Sequence, residues 1–173
     1  MAAAVAAGLT AACGGDQPGQ TPATATASVP VPSLHPSVDG YPDTAVSLAG
    51  PGSRRVAVAV KVANTPARRA HGLMEVASLP PAVGMLFTFP DDTAGGFWMK
   101  NTLVPLDIAY ADAGGDIHTI LQMEPCPAGH DCPLYPPSQP YRYALEVAAG
   151  WFDAAGVSDE WRLELPDDLP PSS

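Results

Sequence analysis

"LDIAYADAGGDIHTILQM", residues 106–123, decides the fold. Two apolar-rich runs, 106–111 and 116–123, flank "DAGGD", whose adjacent glycines suit a tight chain reversal. The pattern predicts a β-hairpin. Upstream, "RVAVAVKVA" (55–63) sets Val56, Val58, Val60 and Val62 on one side, a period-2 strand with one buried face. "GMLFTF" (84–89) reads as an apolar strand stopped by Pro90, and "GFWMKNT" and "PLDIAYA" as two more, separated around Val104–Pro105. Downstream, "YRYALEV" (141–147) alternates with Tyr141, Tyr143, Leu145 and Val147 on one face. "EWRLEL" (160–165) closes the pattern with Trp161, Leu163 and Leu165 together. In "NTPARRAHGL", Thr65 as N-cap, Pro66 at the first helical position and Gly72 past the end predict one short helix. "AGWFDAAG" predicts a helical turn ending at Gly156. The fold expected is mainly β: a compact sandwich or barrel-like domain of short, mostly antiparallel strands with one or two short helices.

Composition bounds what such a domain does. The chain has 173 residues, a length suited to one domain, and a formal net charge of −10. That charge argues against a nucleic-acid partner, because binding a phosphate backbone requires a basic face. The 21 prolines lie mostly outside the apolar segments and read as linker and turns. No run approaches the roughly 20 apolar residues needed to span a bilayer.

"MAAAVAAGLTAAC" (1–13) is a short apolar stretch of small residues ending at Cys13, too short to span and suited to the end of an export signal. It resembles a bacterial lipoprotein signal, in which Cys13 becomes the lipid-bearing first residue. No Lys or Arg precedes the run, and Thr10 stands where that pattern usually has Leu. Residues 14–43, rich in Gly, Pro, Thr, Ser and Ala, cannot bury enough apolar surface to order and are expected to form a disordered tether. A single β-rich domain is expected over 44–166, followed by a disordered tail over 167–173. The expected location is extracytoplasmic, either secreted or held through Cys13 on the outer face of the cytoplasmic membrane, as a monomer.

Five stretches, "HGLM" (71–74), "GMLFTF" (84–89), "FWMKNTLVPLDIAY" (97–110), "MEPC" (123–126) and "YALEVAAGWF" (143–152), stand in an order and spacing that resemble the family known as domain of unknown function 192. The resemblance runs from about 54 to 165. It implies a compact β-rich fold, often exported, often with a Cys pair after "MEP", and no established activity. His71 departs from the pattern, which usually has Arg before Gly-Leu-Met.

The segment around Trp98 holds the candidate site. As a strand it sends Phe97 and Met99 to one face and Trp98, Lys100 and Thr102 to the other. The Lys100 stem can lie along the Trp98 indole, a cation–π contact worth about 0.5–2 kcal/mol. If the chain folds back around Val104–Pro105, Asp107 comes within reach of Lys100 or Asn101. The outcome is then either a structural ion pair fixing register, or a small polar pocket of Trp98, Lys100, Asn101, Thr102, Asp107 and Glu146 for an unidentified small molecule. Asp107 and Glu146 could alternatively serve an enzyme as acid and base. Cys126 and Cys132 in "CPAGHDC" read as a disulfide in an exported chain, in preference to a zinc site with His130. Met74, Met85, Met99 and Met123 with His71 and His118 raise a copper-handling alternative, although each Met sits in an apolar run. No motif for a resident metal or cofactor occurs, and none is expected.

Overall fold

A computed structural model describes Met1 and residues 30–173; the expected signal, Cys13 and most of the expected tether lie outside the described residues. Among the described residues nine strands and three short α-helices form in the order α1 (Pro36–Asp39), β1 (Asp43–Ala49), β2 (Arg55–Ala63), α2 (Pro66–His71), β3 (Val83–Thr93), β4 (Phe97–Trp98), β5 (Leu106–Ala111), β6 (Ile117–Met123), β7 (Leu134–Tyr135), β8 (Tyr141–Ala148), α3 (Trp151–Ala155) and β9 (Arg162–Glu164). Seven strands make one sheet in the order β6-β5-β8-β3-β2-β1-β9, and β4 pairs with β7 separately. Every pair is antiparallel except β2–β3, which run parallel across the α2 crossover. The sheet curls into a half-barrel. At one corner its outer strands nearly close: Ile117 N–H donates to Trp161 O at 3.0 Å and Leu163 N–H to Gly115 O at 2.7 Å.

The predicted local structure is present where sequence signals were dense. β5 and β6 form the hairpin through the Asp112–Asp116 turn. The Thr65 side chain caps α2 by accepting from Arg68 N–H, Pro66 opens the helix, and Gly72 leaves it at φ 55°. Gly156, at φ 67°, ends α3.

Alternation divides the sheet into two cores. One face gathers Val46, Leu48, Val58, Val60, Val62, Leu86, Leu145 and Val147 with Phe152, Trp161 and Leu163. The opposite face carries Met85, Phe87, Ile108, Tyr110 and Met123, covered by Leu73 and Val76 after α2 and by Met99. The candidate site lies at the edge of this second core.

Several expectations are corrected. The ordered domain begins before 44: Val38 in α1 is fully buried, and Lys61 Nζ donates to Asp39 O at 3.4 Å. At the other end 167–173 is held against the domain, with Asn64 Nδ2 donating to Pro171 O at 2.8 Å and Ser172 Oγ to Thr88 Oγ1 at 2.7 Å. With α1 the α-helices number three among the described residues. β3 continues past Pro90 to Thr93 because its register with β8 slips between Thr88 and Thr93, and such an irregularity tolerates proline. The same slip carries Tyr141 into the second core, away from Leu145 and Val147.

Candidate functional site

The site is assembled from three segments. α2 brings Arg69 and His71, β8 brings Glu146, and the chain from β4 to residue 102 brings Trp98, Lys100 and Thr102; all six line one cavity of about 20 Å³. Phe87 and Phe97 line its apolar side. Their rings meet edge to face, centroids 4.7 Å apart.

Sheet register fixes Glu146. Its cross-strand neighbours are Met85 on β3 and Ile108 on β5, so it points into the second core. Gly84 lets the strands approach here, since a Cβ at that position would clash with the Glu146 carbonyl oxygen. The Glu146 side chain is only 4% exposed. Its carboxyl forms no ion pair within 4.0 Å among the described residues, and burial pushes its pKa up to about 8. Among the described residues His71 Nε2 is buried with no hydrogen-bond partner, as is His118 Nε2 on β6. A carboxyl without an ion pair and an imidazole nitrogen without a hydrogen-bond partner, among the described residues, therefore belong to the lining of one small space. Buried polar groups are rarely left so, and the exceptions call for an explanation.

The segment over the cavity is built by a turn. Phe97 and Met99 go inward as expected, Met99 fully buried, while Trp98 is 47% exposed. Asn101 adopts φ 57°, a left-handed conformation that Asn tolerates better than most residues, and Thr102 N–H donates to Met99 O at 3.0 Å. This breaks the strand alternation and turns Thr102 inward, where it is buried, rather than outward beside Trp98 and Lys100. Asn101 does not contribute its side chain to the cavity lining; its backbone holds the turn, accepting from Glu75 N–H at 3.0 Å and donating to Cys126 O at 2.9 Å. Lys100 Nζ rests 5.2 Å from the Trp98 ring centroid, the expected cation–π contact.

Asp107 is not part of this site. It pairs with Val147 across β5–β8, one residue out of phase with the Ile108–Glu146 pair, so it faces the first core while Glu146 faces the second. There it caps α3: Gly150 N–H donates to Oδ2 at 2.8 Å, and the Trp151 and Phe152 N–H groups also reach the carboxyl. Burial raises its pKa, these donors offsetting part of the effect. The expected Lys100–Asp107 pair does not form, and an acid/base pair of Asp107 with Glu146 would have to act through the sheet.

The remaining candidates fall into place around this geometry. The structure joins Cys126 and Cys132 as a disulfide. Met85, Met99 and Met123 are fully buried in the second core, and Met74 lies at the cavity with His71. His118 is on β6, its Nδ1 2.9 Å from Thr119 Oγ1. No group of three or more His, Cys, Asp or Glu suited to a metal occurs among the described residues. Arg69, Phe87 and Phe97 were not anticipated. The signal for Glu146 was present in "YALEVAAG", where one carboxylate stands in a run whose two alternating sets are both apolar.

Beyond the cavity, Arg69, Phe97 and Trp98 also border an open hollow of about 260 Å³ walled by Phe89 and Tyr141. The cavity and the hollow thus share Trp98 at their junction.

A family model for a domain of unknown function, number 192 (uncharacterised ACR), matches residues 48–165. Two solved structures resemble the chain. One, from Sinorhizobium meliloti 1021 and provisionally described as a transcription regulator, is 34% identical with a TM-score of 0.65, over 72% of this chain and 94% of that one. The other, a protein of unknown function from Novosphingobium aromaticivorans DSM 12444, is 28% identical with a TM-score of 0.66, over 83% of this chain and 99% of that one. No curated protein matches.

Proposed function

Because the chain belongs to the domain of unknown function 192 family, which comes without an activity, we propose from the geometry that it is a ligand-binding accessory domain, exported and tethered to the membrane. The observation that carries this reading is the cavity lined, beneath an exposed tryptophan, by a buried Glu146 with no ion pair and by His71, whose Nε2 has no hydrogen-bond partner among the described residues. A ligand polar at one end and apolar along its length satisfies both parts of the site: the buried groups take its head, and the aromatic hollow takes its body. Trp98, Lys100 and Thr102 belong to the site with Arg69, His71 and Glu146. Cys13, at the end of a small-residue apolar run, supports a lipid anchor, and the Cys126–Cys132 bond supports an oxidising compartment. The net charge of −10 weighs against extending the S. meliloti relative's description to this chain.

The test is native mass spectrometry of the full chain extracted from membranes of the bacterium that makes it. A bound small molecule is expected on the wild-type protein and lost in Glu146→Gln and Trp98→Ala variants of unchanged circular dichroism. Identical spectra for all three, with no adduct, would refute the binding function. Cys13→Ala is expected to move the protein to the soluble fraction or block its processing; a wild-type protein already soluble with a free Cys13 thiol would refute the anchor.

A further inference from the structure

The unpaired groups of the cavity also select the chemistry of its occupant, and this step rests on the ligand-binding reading above. A space of about 20 Å³ admits one heavy atom with its hydrogens. Its polar lining is acceptor-rich, with the Glu146 carboxyl, the Thr102 hydroxyl and His71 Nε2, which accepts in one tautomer. Its apolar lining is aromatic, from Phe87, Phe97 and Trp98. The two neighbouring cations are engaged elsewhere. Arg69 donates to Thr88 O at 2.9 Å and Ser173 O at 2.7 Å, and Lys100 lies over the outer Trp98 ring. A water molecule would fill the space but gains little from the ring faces and leaves the carboxyl protonated, with no ion pair formed. A cation of the same size gains from both.

We propose that the cavity receives the head of a primary ammonium ion, the ligand being a primary amine whose carbon chain leaves beneath Trp98 into the hollow lined by Phe89 and Tyr141. Binding then ionises Glu146 and releases its proton to solvent. The Glu146 pKa of about 8 makes this release measurable. The other titratable or charged groups around Glu146 are Arg69 and His71 on α2, Lys100 after β4, and Tyr110 on β5, whose hydroxyl donates to Tyr135 O at 2.5 Å. On β2, two strands away, Lys61 is paired with Asp43 at 2.6 Å. Among the causes of the Glu146 shift only burial contributes.

The experiment titrates the full chain with methylammonium, n-butylammonium and tetramethylammonium chlorides against sodium chloride at equal ionic strength, following Tm and heat. Methylammonium is expected to give a saturable heat and to raise Tm by roughly 3–5 °C at ten times its Kd. n-Butylammonium should bind more tightly by roughly three- to fourfold per buried methylene. Tetramethylammonium, too large for the cavity, should do nothing specific. Calorimetry in buffers of different ionisation enthalpy should give about one proton released per amine at pH 6.5 and few at pH 9. Glu146→Gln should abolish the response, and proton release by the wild type tests the proposal even if that variant does not fold. Absence of saturable binding by either primary amine overturns the inference, as does equal binding of tetramethylammonium or binding without proton release. If those results appear while a native adduct is still lost in Glu146→Gln, the amine fails and the ligand-binding reading stands; if no adduct exists either, both fail.

Discussion

Replacing Glu146 by Gln should make the protein more stable at neutral pH, and by an amount that depends on pH in a defined way. The Glu146 carboxyl is 4% exposed and its pKa is pushed from 4.5 up to about 8 by burial alone. The native state therefore holds a proton that the unfolded state gives up between these values. Stability is fully present below about pH 4.5 and falls as pH rises toward 8, at up to 1.36 kcal/mol per pH unit. The whole loss across the interval is about 5 kcal/mol, and about 3 kcal/mol of it has accrued by pH 7. Gln has the shape of the protonated acid and does not titrate. The two proteins should thus be equally stable near pH 4.5–5, with the variant ahead by about 3 kcal/mol at pH 7, or roughly 7–13 °C in Tm for a chain of this size. Water entering the cavity on ionisation would lower these figures, so they are ceilings. Urea unfolding followed by tryptophan fluorescence at pH 5, 6, 7 and 8 measures the difference, and other titrating groups cancel in the comparison. A wild-type-to-variant difference constant within about 1 kcal/mol over that range would refute the buried, unpartnered carboxyl.

Asp107→Ala should cost about 1–3 kcal/mol at pH 7, because the α3 donors lose their buried acceptor; Lys100→Ala should not reproduce the loss, and urea midpoints for the two variants decide between capping and ion pairing. The double Cys126→Ser, Cys132→Ser variant should lose about 2–2.5 kcal/mol, the chain-entropy value for a loop of seven residues. Thiol titration of the unfolded, unreduced wild type should find neither cysteine free, and two free thiols with bound zinc would reverse that assignment. Lys100→Met should leave stability within about 0.5 kcal/mol, since its ammonium is exposed on Trp98; a larger loss in thermal melts would mean that Lys100 has a structural partner after all.

How much of this was legible follows from where the sequence repeats itself locally. The β5–β6 hairpin and α2 depend on neighbours in the chain, the Gly114–Gly115 turn and the Thr65, Pro66 and Gly72 signals, and both stand where sequence puts them. The parallel β2–β3 pairing depends on contacts across a crossover and has no local signature. β1, "DTAVSLA", sets Asp43, Ala45, Ser47 and Ala49 on its outer face and has only Val46 and Leu48 fully buried, too weak a pattern to stand out. α1 hides in a proline-rich stretch because one buried residue, Val38, docks it. At the site the decisive quantity is phase. A shift of one residue reverses a side chain's face, and nothing in "NTLVP" states how many residues the Asn101 turn consumes before β5 begins.

Of the charged residues that interrupt apolar runs, Lys61 on β2 meets Asp43 at 2.6 Å, and the fold treats Lys100, Asp107 and Glu146 each differently. Lys100 escapes to the surface along a tryptophan, so its charge remains solvated. Asp107 is buried, but its oxygens meet the first N–H groups of α3, which require an acceptor in any case. Both placements follow from folding alone and would persist in a protein with nothing to bind. Glu146 has no such account: it is buried, without an ion pair among the described residues, and lines one cavity with His71, whose Nε2 has no hydrogen-bond partner among them. An apolar residue of similar volume would fit between Met85 and Ile108 and avoid the burial cost worked out above. An ionisable group retained where folding disfavours its charge, in the lining of a cavity under an exposed aromatic ring, is where a ligand has to be sought.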